Sequence, residues 1–143
     1  MDYRQLGHSG VRVSVVGLGA NRFGSPDVPQ SQVDKIINAA LDAGVNFIDT
    51  ANVYTNGSSE LFLGEFMKGH RESMVLATKY TNANPGTDPN AAGNQRKNMM
   101  QAVEASLKRL RTGYIDLYWV HIWDQITPVE EVIRGLDDLV RGP

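Results

Sequence analysis

The sequence contains no cysteine, so disulfide bonds and thiolate chemistry are excluded and a reducing compartment is permitted. It has no apolar run approaching about 18 residues and begins with a polar segment, so neither a membrane span nor a secretory signal is predicted. We therefore expect a cytoplasmic protein. A strong excess of one charge is also lacking, since the net charge is -2 and the pI is about 5.9. Nucleic acid and anionic membranes are thus not expected as partners.

Two glycine-rich phosphate-binding motifs are absent as well. Gly17, Gly19 and Gly24 do not have the spacing of a GxGxxG fingerprint, and GxxxxGK[ST] occurs nowhere in the chain. Open nucleotide-binding folds are disfavoured on this ground.

What the sequence does contain is a regular alternation of apolar runs and amphipathic segments. With 143 residues, of which 41% are hydrophobic, the chain suffices for a single domain over 1–143 with a real core. The segments 3–6 and 11–13 flank a GHSG turn and predict a β-hairpin. Four strand-and-helix units follow, with strands predicted at 14–18, 45–48, 74–78 and 115–120. This order predicts an α/β fold with a parallel sheet, either half of a (β/α)8 barrel or an open doubly wound sheet.

Three of the four helices are expected to begin at capping residues. Ser31 opens a Ser-x-x-Asp pattern, Ser58 or Ser59 can cap the second helix, and Thr127 opens a Thr-x-x-Glu capping box. The apolar residues of the fourth helix are predicted to face inward, namely Val129, Val132, Ile133, Leu136, Leu139 and Val140.

Three ionisable residues stand at the ends of three different predicted strands. Asp49 ends the run VNFID, Lys79 follows MVLAT, and His121 follows IDLYWV, while Tyr54 lies five residues after Asp49. Barrel enzymes draw their catalytic residues from several strand ends in this way. The four residues also make chemical sense together. A nearby ammonium favours a phenolate, a carboxylate orients that ammonium, and a histidine can hydrogen-bond a carbonyl oxygen. Such a set would protonate a carbonyl that receives a hydride.

The chain resembles the N-terminal half of an aldo-keto reductase, in particular the aryl-alcohol-dehydrogenase-like branch of that family. The resemblance rests on the segments YRQLGHSGVRVSVVGLG, AGVNFIDTANVY, VLATKY, SLKRLRTGYIDLYWVH and HIWDQITPVEEVIRGLDDLV. It implies a (β/α)8 barrel, NADPH as hydride donor and aldehydes or ketones as substrates. It also implies a catalytic tetrad of Asp49, Tyr54, Lys79 and His121, with Tyr54 as general acid.

Several further residues are candidates for ligand contact. Asp49 and Asn21 are assigned to the cofactor, and Tyr54, His121 and Trp123 to the substrate. Trp123 fits a core or an interface equally well. Arg22 and Asn82 could also touch a ligand, although ordinary loop polarity is the simpler interpretation for them and for Asn21.

The chain departs from the family pattern because four further units would be expected after the fourth helix. We therefore expect a truncated half-barrel that retains the proton-transfer group and few of the residues that hold NADPH. An apolar sheet face would be exposed, with Val16, Phe47, Leu76 and Leu117 as candidates, and self-association into a homo-oligomer is predicted.

Two functions are weighed on this basis. One is an NADPH-dependent carbonyl reductase, and the alternative is a non-catalytic half-barrel that folds and self-associates. A barrel enzyme that uses Asp49 and His121 with a metal is a more distant possibility, because the ligand set is sparse.

Overall fold

A short antiparallel hairpin and a four-stranded parallel sheet make up the β-structure of this protein. The computed structural model describes residues 1–82 and 88–142. The strands are β1 (Tyr3–Gln5), β2 (Arg12–Ser14), β3 (Gly17–Gly19), β4 (Phe47–Asp49), β5 (Val75–Tyr80) and β6 (Leu117–Val120). The helices are α1 (Gln30–Asp42), α2 (Ser58–Phe66), α3 (Arg96–Leu110) and α4 (Val129–Arg141), with 3-10 turns at Tyr54–Gly57 and Arg71–Ser73.

The large sheet has the strand order β3-β4-β5-β6, and every neighbouring pair is parallel. The predicted hairpin followed by four strand-and-helix units is therefore confirmed, and it corresponds to half of a (β/α)8 barrel. Within the described residues the sheet is open, with β3 and β6 at its two edges. Because all four strands run in one direction, the loops after their carboxyl ends meet at a single edge of the sheet.

Within the described residues, the core lies between the helices and one face of the sheet. Ile48 and Leu76 are completely buried among α1, α2 and α3, and Tyr80 is buried against α3 and α4. The expectation that Leu76 belongs to an exposed face is wrong, because side chains alternate along a strand and Leu76 points to the helices. Phe47, Leu117 and Trp119 lie on the opposite face, which we call the open face.

The helices begin without the predicted side-chain caps. No side-chain hydrogen bond caps α1, α2 or α4, whose N-cap residues are Pro29, Gly57 and Pro128. The hydroxyls of Ser59 and Thr127 are occupied elsewhere, since they donate to the Ala20 carbonyl and to the Asp124 carboxylate. A long-range contact of Ser59 and a local contact of Thr127, three residues back, thus replace the predicted caps.

The apolar residues of α4 are only partly inward, contrary to expectation. Val132 is buried, and Leu136 and Leu139 pack against the core. Val129, Ile133 and Val140 are exposed, because the sheet and α3 cover only one side of this helix. No helix within the described ranges combines the length and the apolar character that a membrane crossing requires.

A buried carboxylate ties α2 to both α3 and β5. Glu60 is fully buried, and its two oxygens accept hydrogen bonds from Arg109 Nε at 2.7 Å and Thr78 Oγ1 at 2.6 Å. Gly64 on the same helix lies directly against the backbone of α3 at Arg109 and Leu110. The absence of a side chain there allows the close approach that the ion pair requires.

We expect Gly64→Ala to lower the free energy of unfolding by about 1–3 kcal/mol, despite the better helix propensity of alanine. The added Cβ would stand 2.8 Å from the carbonyl carbon of Leu110, which is backbone and cannot rotate away. Urea denaturation followed by circular dichroism measures the change. Gly113→Ala is the matched control, because its added methyl meets open space, and its effect should stay within about 0.5 kcal/mol. An unchanged stability of Gly64→Ala would contradict the close packing of α2 on α3.

Candidate active site

The parallel register brings three strand ends to one edge of the sheet. Asp49 is the last residue of β4, and His121 directly follows β6, as predicted. Lys79 lies within β5 and not after it, because β5 continues to Tyr80. Its strand partner on β6 is Trp119, which shares the open face with the lysine.

The ammonium group of Lys79 joins the other groups together. Its Nζ lies 2.6 Å from Asp49 Oδ2, 2.8 Å from the Thr50 carbonyl oxygen and 3.2 Å from the Tyr54 hydroxyl. A lysine ammonium has three N–H donors, and each of them has an oxygen acceptor here. Because the Tyr54 oxygen accepts from the ammonium, the phenolic proton remains available for donation to another group.

Tyr54 is positioned by a tightly wound loop between β4 and α2. The next three residues, Thr55, Asn56 and Gly57, have φ values of 47°, 55° and 87°. Two consecutive non-glycine residues in the left-handed region cost conformational energy, and such strain clusters at functional sites. The hydroxyl of Thr55 donates to the Phe23 carbonyl at 2.5 Å and helps hold this conformation.

His121 lies beside Tyr54 at the mouth of the site. The two rings pack edge to face, with centroids 5.8 Å apart and planes at 85°. Burial lowers the pKa of His121 below its usual value, the Lys79 ammonium lowers it further, and the Asp49 carboxylate opposes both effects. These effects together favour the neutral form of the imidazole.

Asn21 and Trp123 lie near the same edge without joining the four residues. Asn21 is exposed in the turn after β3, two residues beyond Gly19, which pairs with Asp49. Trp123 is 70% exposed, two residues beyond His121. Within the described part of the chain, neither makes a hydrogen bond to the four. Arg22 forms a surface ion pair with Asp27 at 2.6 Å.

Two contacts of the site were missed by sequence reasoning. Asn82, interpreted as ordinary loop polarity, places its amide nitrogen 3.2 Å from Nδ1 of His121. Its position just beyond the end of β5 was the signal that could have found it. The Thr50 contact to Lys79 uses a backbone carbonyl. Every residue has one, so the residue type at position 50 could not predict this contact.

The loop that carries His121 is fastened to the segment before α3. The Asp124 carboxylate accepts the backbone N–H of Asn94 at 2.7 Å, and the Asp124 N–H donates to the Asn94 side chain at 2.7 Å. The hydrogen bonds from Asn94 and Thr127 hold the pKa of Asp124 well below its usual range. Asn94 also donates to Thr81 and to the Ile122 carbonyl, so both loops bordering His121 are braced together.

The described residues offer little to a metal ion. Over 1–82 and 88–142, no three His, Asp or Glu side chains are grouped to hold one. Asp49, a candidate ligand in the metal hypothesis, is instead paired with Lys79.

Comparison with known proteins gives close relatives over almost the whole chain. Norsolorinic acid reductase of Emericella nidulans is 43% identical over 92% of this chain and 38% of its own length. The aryl-alcohol dehydrogenase [NADP(+)] of Phanerodontia chrysosporium is 40% identical over 96% of this chain and 40% of its own. This chain therefore spans about two fifths of the length of these relatives.

A solved structure has the same fold. The holo form of an aldo-keto reductase from Bacillus halodurans superposes with a TM-score of 0.89 and 34% identity, over 99% of this chain and 47% of the other. The model of the aldo/keto reductase family matches residues 15–142. The chain thus belongs to the aldo/keto reductase family.

Proposed function

We propose that this chain carries the proton-transfer site of an NADPH-dependent oxidoreductase that reduces aldehydes or ketones to alcohols. The observation that carries the proposal is the contact of the Lys79 ammonium with both Asp49 Oδ2 and the Tyr54 hydroxyl. Family membership supports the reaction type, because it relates the chain to reductases and dehydrogenases.

Tyr54 is the general acid in this proposal. Its oxygen already accepts from Lys79, so its own proton is free to pass to the carbonyl oxygen of the substrate as the carbonyl carbon is reduced. The phenolate that remains is stabilised by the positive charge of Lys79. Asp49 keeps the lysine in place and charged, at a distance of 2.6 Å.

His121 orients the substrate. It packs against Tyr54 with ring centroids 5.8 Å apart, and we infer that a carbonyl oxygen that receives the phenolic proton also contacts the imidazole. A neutral imidazole can donate a hydrogen bond to that oxygen without adding a second charge beside Lys79. We assign Tyr54, His121 and the exposed Trp123 to contact with the substrate.

The residues of this site offer hydrogen-bonding groups for a polar part of NADPH. Asp49 is about one third exposed, and its second oxygen, Oδ1, accepts no hydrogen bond from a described residue. It can therefore accept from a polar group of the cofactor while Oδ2 stays on Lys79. Asn21, exposed at the same edge, is the other proposed contact. NADPH, when bound, supplies the hydride.

A second candidate function is a half-barrel that folds and self-associates without turnover. The observation that favours it is the open sheet, whose edge strands β3 and β6 have no partner strand on their outer sides among the described residues. In that case the four residues keep their geometry while NADPH finds too few contacts to bind.

Turnover tests the first proposal. We expect the 143-residue chain to oxidise NADPH in the presence of 4-nitrobenzaldehyde, measured by absorbance, and Tyr54→Phe to reduce the rate by at least about 100-fold. The phenyl ring keeps the packing and removes only the proton donor. A wild-type rate no greater than that of Tyr54→Phe contradicts the reductase proposal.

Cofactor binding separates the two candidates by a second measurement in the same experiment. The two tryptophans, Trp119 on β6 and Trp123 after it, lie close to the proposed site. Saturable quenching of their fluorescence at micromolar NADPH contradicts the non-catalytic alternative. Quenching that stays linear with concentration, combined with no turnover, supports it.

The titration midpoint of His121 should move in a defined direction in each of two variants. We expect the NMR titration midpoint of His121 to lie below about 6.5, to rise in Lys79→Met and to fall further in Asp49→Asn. Because the folded chain binds this proton less readily, the stability from neutral His121 is present above about pH 6.5 and is lost as the pH falls. His121→Gln should flatten that dependence. A midpoint that falls in Lys79→Met would contradict the role of the ammonium.

We also propose that this chain, taken alone, self-associates through the open face. Trp119 is 44% exposed there, on the same face of the sheet as Phe47 and Leu117, and within the described residues the sheet has two unpaired edges. Light scattering should give a mass well above 15.7 kDa, and Trp119→Lys should reduce it. Leu61→Lys on α2 is the matched control, since Leu61 is also 44% exposed. A monomeric wild-type chain at micromolar concentration contradicts the proposal.

A further inference from the structure

A neutral histidine carries its single ring proton on one of two nitrogens, and the neighbours decide which one. In this structure the amide nitrogen of Asn82 lies 3.2 Å from Nδ1 of His121. With its amide nitrogen toward the ring, Asn82 is the donor and Nδ1 the acceptor of this hydrogen bond. The proton of the neutral ring is then on Nε2.

Asn82 is held in place by its surroundings. It directly follows Thr81, a buried residue with φ of 103°, a conformation that non-glycine residues rarely adopt. The side chain of Thr81 accepts a hydrogen bond from Asn94 at 2.8 Å. The Asn82 carbonyl accepts a long contact of 3.5 Å from the side chain of Asn52, which is almost completely buried. The backbone at Asn82 is therefore held through Thr81 and through the contact of its own carbonyl with Asn52.

The other groups near His121 do not hydrogen-bond its Nδ1 atom in place of Asn82. Tyr54 presents the edge of its ring to the imidazole, and the Lys79 ammonium is occupied by three oxygens. Asp49 is the remaining charged group, and its Oδ2 is bound to Lys79. Among the described residues, Asn82 makes the one side-chain hydrogen bond to the imidazole.

We propose that Asn82 is a positioning residue that holds the proton of neutral His121 on Nε2, so that the ring presents an N–H donor to the carbonyl oxygen of the substrate. The catalytic consequence rests on the proposed reductase function. The tautomer itself is a property of the folded chain and is measurable without cofactor or turnover.

Nitrogen-15 NMR tests the tautomer directly. Long-range proton–nitrogen correlation spectra of the labelled chain, recorded at about pH 8 and assigned with His121→Gln, report which nitrogen carries the proton. We expect Nε2–H in the wild-type chain. In Asn82→Asp a carboxylate replaces the donor and accepts from Nδ1–H, so the signal should change to the Nδ1–H tautomer or to the charged ring.

Two results would overturn the proposal. One is Nδ1–H in the wild-type chain, and the other is an unchanged neutral Nε2–H ring in Asn82→Asp. Asn38→Asp is the matched control, because it makes the same chemical change at an exposed position of α1 and should leave the His121 spectrum unaltered. Circular dichroism of each variant verifies that it is folded, and Asn82→Leu, which offers neither donor nor acceptor, is a second variant should Asn82→Asp unfold. A ring nitrogen spectrum in Asn82→Leu identical to wild type, with no loss of the Nε2–H population, then counts against the proposal.

The kinetic consequence is a separate readout. If the chain reduces 4-nitrobenzaldehyde and Asn82→Asp has the Nδ1–H tautomer, this variant should lower kcat/KM by about 10²-fold while NADPH quenching is unchanged, because the Nε2–H donor to the developing oxyanion is lost. An unaltered kcat/KM together with a changed tautomer contradicts the catalytic part of the inference. A wild-type chain without turnover contradicts the reductase proposal instead, and the tautomer result still decides the role of Asn82.

Discussion

The ammonium of Lys79 is the interaction on which the site depends. Its side chain is only 14% exposed, and a charge so far withdrawn from water requires oxygen partners for its three donors. Those partners come from the end of β4 and from the loop after it, as Asp49, the Thr50 carbonyl and Tyr54. The same contacts that satisfy the lysine therefore bring a proton donor and its stabilising charge together.

The loop after β4 has a strained backbone, and contacts of the surrounding helices and strands stabilise it. Thr55 and Asn56 adopt left-handed conformations immediately after Tyr54. The helix that follows is anchored by the buried Glu60, which bonds to Arg109 on α3 and to Thr78, the residue before Lys79. Helix α2 and the lysine strand are thus linked through a single carboxylate. A buried ion pair of this kind fixes relative position more than it adds stability.

The alternation of apolar runs with amphipathic segments predicted the order of strands and helices correctly, although the apolar period of α4 overstated how many of its residues are buried. Apolar runs bounded by glycine predicted the strands, and Asp49 and His121 were expected at strand ends, where the structure has them. Capping patterns, which require a side-chain hydroxyl with no other hydrogen-bond partner, predicted the helix starts less well. Ser59 was a candidate cap of the second helix, but its hydroxyl donates to the Ala20 carbonyl 39 residues away, and no local residue pattern reveals such a partner.

The sequence by itself determined the order of strands and helices, the family, and the residue types available for proton transfer. These follow from periodicity and motif, which are local along the chain. Only the tertiary structure decided that Leu76 faces the helices, that a backbone carbonyl completes the shell of Lys79, and that Asn82 meets His121. The physical reason is that the Lys79 and His121 contacts join residues 29 and 39 positions apart. The facing of Leu76 depends on which side of β5 packs against the helices, and a short strand that is apolar on both faces does not reveal this.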